Sequence, residues 1–379
     1  MRRQHTIVTA LALALLAGAW SACSPQGDEI VVGEYGSLTG GTATFGTSTH
    51  EGVLLALKKI NDAGGVLGKQ VRVVTEDDQS KPEEAVTAVL KLVKQNQVVA
   101  VVGEVASSRS LAAAPVCQSS KIPMLSSAST NPKVTQVGDF IFRACFIDPF
   151  QGSTMAKFAV NTLKAHKFAI LTDNKNDYSV GLTQFFRETV KKLGGEIVVE
   201  ESYAEGDIEF KAQLTSIKAA QPDAIYVPGY YTECALIARQ AHELGLTATL
   251  LGGDGWDSPK TTEIGGKAVE GVYFTNHYSA EEQRPEVQQF LKEYREAYKG
   301  KTPDAMAVLG YDAMSMMADA LRRAGSTDGT QIRDALAATK DFPGVSGRIT
   351  IDKDRNAQKA IVVLKIENGA FHFVESIAP

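Results

Sequence analysis

Cysteine is scarce in this chain. Four among 379 residues are too few for a disulfide-built scaffold, and they lack the close pairs of a zinc site. Aromatic residues make up only 7%, which argues against a fold organised on aromatic repeats. Nor is there a surplus of positive charge: the formal net charge is -5, which leaves no broad basic surface for nucleic acid. After the N-terminal segment, no apolar run approaches the roughly 18 residues of a membrane span. Enzyme signatures are missing as well. There is no G-x-S-x-G elbow, C-x-x-C pair or H-E-x-x-H helix, since His50-Glu51 and His242-Glu243 each lack the second histidine. The run Gly64-Gly65-Val66-Leu67-Gly68-Lys69 lacks the upstream Gly and the trailing Ser/Thr of a P-loop, and its first two glycines are expected to end a helix in the left-handed conformation. Gly36-Ser37-Leu38-Thr39-Gly40-Gly41 is not G-x-G-x-x-G, which disfavours a dinucleotide-binding dehydrogenase. The six histidines are scattered, and a surface or core role is expected for each. These absences predict no enzyme, no metal and no cofactor.

What is present begins with an address. Arg2 and Arg3 precede an apolar stretch from Thr6 to Trp20, and Ser21-Ala22-Cys23 follows. Residues 1–23 therefore read as an export signal. The small residues before Cys23 resemble a bacterial lipobox, which predicts cleavage there and lipidation of Cys23, although Trp20 departs from the usual aliphatic residue.

The rest alternates between two periodicities. Short β-branched runs at Ile30–Val32, Val71–Val74, Val98–Val102 and Ile122–Leu125 are separated by apolar residues at helical spacing, such as Val53, Leu54, Leu57 and Ile60. A second block repeats the scheme with strands at Phe168–Leu171, Ile197–Val199, Ala224–Val227 and Thr249–Leu251, and helices near 181–193, 208–220 and 232–244. This predicts an α/β fold with two Rossmann-like lobes. A long helix (Asp304–Ala324) and strands at Arg348–Ile351, Ala360–Ile366 and Phe371–Val374 come last. They are expected to complete both lobes, so the chain must cross between lobes several times.

Ligands of parallel α/β sheets sit outside the carboxyl ends of the strands, so the loops that follow strands carry the candidates. In the first block these are Gly103–Arg109, with Ser107 and Ser108, and Ser126–Pro132, with Ala128, Ser129 and Thr130. Hydroxyls and free N–H groups at helix starts suit a small anion, though taken singly such residues are more often plain helix caps. In the second block the loops hold Tyr178, Tyr230 and Tyr231, Asp254 and Trp256. A carboxylate and phenol rings suit an ammonium on an apolar body, while any one aromatic alone would more often be core. Together the two edges match a zwitterion held between lobes.

Several stretches are similar to the leucine/isoleucine/valine-binding proteins, type I periplasmic solute-binding proteins of amino-acid ABC importers. They are Gly36–Gly40, Ile60-Asn61-Asp62-Ala63-Gly64-Gly65-Val66-Leu67-Gly68, Glu76-Asp77-Asp78, Phe142-Arg143 and Asp148-Pro149-Phe150-Gln151-Gly152. The resemblance runs from about Ile30 to the C-terminus. It implies a three-strand hinge, with one lobe from residues 28–147 plus 278–353 and the other from 148–277 plus 354–379. It also implies that Ser107 and Thr130 hold an α-carboxylate, that the Ala128 carbonyl, Thr130 and Asp254 hold an α-ammonium, and that Tyr178 and Tyr230 close over them. Ser129 belongs to the same loop. Asp254 is shorter than the glutamate of the leucine/isoleucine/valine-binding protein itself, and Phe45 stands where the branched-chain binders carry a tyrosine. Trp256, Tyr231 and Tyr311 are expected to shape the side-chain pocket. The family's disulfide positions correspond to Ser80 and Ala106, so a Cys117–Cys145 bridge is expected instead, with Cys234 a buried free thiol.

The resemblance thus implies a monomeric extracytoplasmic protein that captures an α-amino acid by hinge closure and passes it to an inner-membrane ABC permease. The alternatives keep the fold but bind a short amide, a urea-like molecule or an aromatic acid, or serve a sensor rather than a transporter.

Overall fold

The computed structural model describes residues 29–379; the export signal and Cys23 lie outside the described residues. Fifteen strands form three sheets. The first contains β1 (Ile30–Gly36), β2 (Val71–Asp77), β3 (Ala100–Val102), β4 (Met124–Ser126) and β5 (Ile141–Arg143), in the order β2-β1-β3-β4-β5. All its pairings are parallel. The second contains β6 (Lys167–Asp173), β7 (Glu196–Tyr203), β8 (Ala224–Tyr226), β9 (Thr249–Gly252) and β10 (Tyr273–Asn276). After β11 (Phe342–Gly344), β12 (Gly347–Ile351) and β13 (Ala357–Gln358), which make a small antiparallel sheet, β14 (Ile361–Glu367) and β15 (Ala370–Ile377) extend the second sheet. Its order is β15-β14-β10-β9-β8-β6-β7. Its first five strands thus repeat the arrangement of the first sheet, and β14 and β15 add an antiparallel edge.

The shared order places a reversal of winding beside β1 in one lobe and beside β6 in the other. Chains diverge to opposite faces there, so a crevice opens at the carboxyl ends of the strands. The chain passes from one lobe to the other after β5, after β10 and between β13 and β14. Three crossings make a hinge rather than a single tether.

The expected strands are present, with the third and fourth shortened at their amino ends. Central strands such as β3 and β8 are buried throughout, which is why they read as continuous apolar runs. Gly64 and Gly65 have φ of 94° and 78° and end the first helix, as their position predicts. The helix Ala305–Ala324 crosses the helix Ala43–Asp62 at two glycines. A Cβ on Gly52 would lie 1.9 Å from the Ala307 carbonyl oxygen, and one on Gly310 would lie 2.3 Å from that of Thr49. Backbone against backbone at this crossing brings Met314, Met317 and Leu321 into the core of the first lobe. Burying each such side chain contributes about 1.5–3 kcal/mol.

The cysteine expectation fails for two of the three described thiols. Cys117 and Cys145 are both free and buried, and no bridge joins them. Cys117 packs with Val101 and Met124, whereas Cys145 packs with Ala128 and Met155 in a separate cluster. Cys234 is a buried free thiol, as expected.

Candidate functional site

The first lobe contributes two loops. After β3 the chain turns into the helix Ser107–Ser120, and after β4 it runs through Ser127–Pro132. The Ser107 Oγ accepts from the Asn131 N–H at 3.2 Å, which ties one loop to the other. Arg143, fully buried at the end of β5, donates to the carbonyls of Ser129 and Asn131. Those bonds hold the loop from behind. Thr130 is 1% exposed, and its hydroxyl has no partner within full hydrogen-bond geometry, although it stands close enough to Asp148 to lower that carboxyl's pKa. A buried hydroxyl left unpaired costs about 1–3 kcal/mol unless something fills it. Ser129 is different. Its Oγ lies 2.7 Å from Ser110 Oγ and 2.9 Å from the Glu104 carbonyl, so it stitches the lobe together and is corrected from ligand contact to support.

The second lobe contributes a carboxylate. Asp254 starts a short 3-10 turn after β9 and is 3% exposed. Its Oδ1 accepts from the Tyr178 hydroxyl at 2.9 Å and from Gln151 Nε2 at 2.6 Å, and its Oδ2 lies 2.9 Å from His277 Nε2. Three donors leave room for one more on Oδ2. Tyr178 also accepts from the Gly255 N–H at 3.0 Å. Burial pushes the Tyr178 and Tyr230 phenols well above their ordinary range, so both stay neutral donors.

Apolar walls join the two halves. Phe45 of the first lobe meets Tyr230 and Tyr231 of the second edge-on, with centroids 5.5 and 4.8 Å away, and Tyr230 stacks on Tyr178 at 5.3 Å. These rings form one packed cluster with Val105, Ala128 and Met306. The lobes also bond directly: Ser108 with Asp177 at 2.9 Å, Arg109 with Glu205 at 2.9 Å, and the Thr44 N–H with the Tyr231 hydroxyl at 3.2 Å. The cleft is therefore shut.

Two pocket expectations are corrected. Trp256 is fully buried in the core of the second lobe, where its Nε1 donates to the Val227 carbonyl at 2.8 Å. Tyr311 packs against Phe290 at 5.0 Å under Lys59, on the outer side of the first lobe. Sequence reasoning also passed over Asp148, Gln151 and His277. The first two stand in a motif already marked by resemblance, and His277 follows β10, a strand that had not been recognised.

Asp148 carries a consequence for stability. Neither carboxylate oxygen has a partner within full hydrogen-bond geometry, and burial, opposed by the Thr130 hydroxyl and reinforced by the nearby Asp254, pushes its pKa up to about 8. An unfolded aspartate titrates near 3.9, so between about pH 4 and 8 the folded chain holds a proton that the unfolded chain has lost. Folding stability from this group is full below that window and falls as pH rises through it. Thermal melts of ligand-free protein from pH 5 to 8 should show that decline, and Asp148→Asn should flatten the slope. An unchanged slope would place the proton elsewhere.

Among the described residues no group of three or more His, Cys, Asp or Glu could hold a metal ion. No helix among them is long and apolar enough to cross a membrane.

A two-lobed α/β clamp, with a carboxylate on one jaw and a buried hydroxyl on the other, defines a capturing protein. The model of the family described as "Periplasmic binding protein" matches residues 29–370, and the chain belongs to that family. A Pseudomonas aeruginosa protein named leucine-, isoleucine-, valine-, threonine- and alanine-binding protein is 31% identical over 93% of this chain and 94% of its own length. Among solved structures, a leucine-binding protein (LivK) from Thermotoga maritima is 43% identical, with a TM-score of 0.89 over 92% of this chain and 99% of its own. LivJ from Streptococcus pneumoniae, a branched-chain amino acid transporter substrate-binding protein solved with isoleucine, is 34% identical, with a TM-score of 0.88 over 93% of this chain and 100% of its own. The family places such proteins outside the cytoplasm.

Proposed function

We propose that this protein captures an aliphatic α-amino acid between its lobes and delivers it to an ABC importer. The observation that carries the reading is that Thr130 of one lobe and the incompletely filled Asp254 carboxylate of the other both stand next to Asp148, beside the aromatic cluster that joins the lobes. The relatives named for leucine, isoleucine and valine support it. In this reading Ser107 and Thr130 hold the carboxylate, the Ala128 carbonyl and Asp254 hold the ammonium, and Phe45 and Tyr230 cover the aliphatic side chain. Because β13 pairs with β12 and Ala357 packs in the first lobe's core, residues 354–358 go with the first lobe, and residues 29–147 with 278–358, and 148–277 with 359–379, move as two bodies about the three crossings. Affinity for the closed form drives the motion. The mature chain begins at a lipidated Cys23, is monomeric, and presents its closed lobes to a permease.

The test is a thermal-shift and calorimetry panel of leucine, isoleucine, valine and alanine against short amides, urea and benzoates. Aliphatic amino acids should stabilise the protein, by about 2.7 kcal/mol at roughly 100 times their Kd. A response confined to amides, urea or benzoates would reject the reading.

A further inference from the structure

Asp254 is fixed by donors of two origins. Gln151 and Tyr178 stand on helices of the second lobe and serve Oδ1. His277 alone serves Oδ2, from the segment that leaves β10 and crosses to the first lobe. Its ring is fully buried and lies flat on Phe146, with centroids 3.8 Å apart and planes 17° apart. Phe146 belongs to a different crossing, the one after β5. The backbone is held too, because the His277 N–H donates to Asn276 Oδ1 at 2.9 Å, and Asn276 Nδ2 donates to Asp257 at 2.8 Å.

The imidazole's other nitrogen settles its protonation. Nδ1 is buried without a partner. A lone pair there costs less than an unpaired N–H or a buried charge, so the proton sits on Nε2 and is donated to Asp254. Burial accordingly pushes the His277 pKa down to about 4. The groups around this pair are Asp148, Tyr178, Tyr226, Cys145, Asp257 and Lys359.

We infer that His277 is a positioning residue for the ammonium subsite: its Nε2–H holds Asp254 in place and fastens that carboxylate to two of the three crossings. The inference rests on the amino-acid reading above. It goes beyond that reading by making affinity depend on a side chain that touches no guest, and by giving hinge geometry a direct hold on the guest's charged partner.

The experiment compares wild type, His277→Phe and His277→Gln by calorimetry with L-leucine at pH 7.5. Phenylalanine keeps a flat ring on Phe146 but donates nothing; glutamine restores an N–H. His277→Phe should weaken leucine binding on the order of tenfold or more, as expected for a lost hydrogen bond to a charged group. His277→Gln should recover most of the affinity. A merely structural role would lower the melting temperature of both variants without separating their affinities. Nitrogen-15 NMR of the wild-type imidazole supplies a readout that needs no variant to fold: the Nε2–H tautomer is expected, with a shift that changes in Asp254→Asn. A proton on Nδ1, or a His277→Phe protein that binds leucine within about threefold of wild type, overturns the inference. Failure of wild type to bind any amino acid would overturn the proposed function instead, and the NMR result would still decide the His277–Asp254 link.

Discussion

Replacing Asp254 with alanine should weaken binding of an aliphatic amino acid by about 2–5 kcal/mol, the usual cost of truncating one partner of a buried charge pair. At about 1.4 kcal/mol per factor of ten, that is roughly 30- to 5,000-fold. The upper part of the range is favoured by the surroundings. Tyr178, Gln151 and His277 all donate to this one carboxylate, so alanine strands three buried donors as well as the ammonium. Part of the loss will therefore appear as instability of the ligand-free protein. Asp254→Asn separates the two effects, since the amide oxygen can still accept while the charge is gone. Calorimetry should find the asparagine protein nearly as weak a binder as the alanine protein but closer to wild type in melting temperature. Undiminished affinity in either variant would remove Asp254 from the site.

The largest expected loss of stability lies at the helix crossing in the first lobe. Gly52→Ala would place a Cβ 1.9 Å from the Ala307 carbonyl oxygen and 2.9 Å from the Tyr311 nitrogen, contacts that no side-chain rotation relieves. Alanine's better helix propensity returns about 1 kcal/mol. Forcing the helices apart costs more, typically 1–3 kcal/mol and occasionally beyond, and the neighbour here is main chain. A net loss of about 2–3 kcal/mol is expected, read as a lower urea midpoint with little change in slope. Gly41 is the control. Its Cβ would meet nothing within 4 Å, so Gly41→Ala should stay within about 0.5 kcal/mol of wild type. Equal midpoints for the two variants would mean that the helix crossing tolerates separation.

The lobes were legible in the sequence because parallel strands buried on both faces must be apolar runs, and Val98–Val102 and Ala224–Val227 could hardly be anything else. β10 escaped because its second half, Thr275 and Asn276, is polar, so it shows no continuous apolar run. The loss of β10 hid His277. Asp254 was legible from its place after a strand, but the same logic misled two residues later: within the 3-10 turn Asp254–Trp256 successive side chains leave in different directions, and Trp256 turned inward to the Val227 carbonyl. Tyr311 failed for a related reason. It stands five residues beyond Met306, about 140° further round a helix of 3.6 residues per turn. Met306 faces the aromatic cluster, and Tyr311 faces Phe290. Periodicity finds the faces of a helix and cannot say which neighbour each one meets. The cysteines mark the same boundary, since bridging depends on distances that only the folded chain possesses.

The repeated crossings also govern the order in which this chain can be completed. The helix Ala305–Ala324 supplies Met314, Met317 and Leu321 to a core whose strands come from β1 to β5. An incomplete polypeptide that stops before Ala305 leaves that side of the sheet with Val53, Ala56 and Ile60 of the helix Ala43–Asp62 but without the methionines and leucine that complete its core. The first lobe therefore finishes packing only after the second lobe's first five strands have been made.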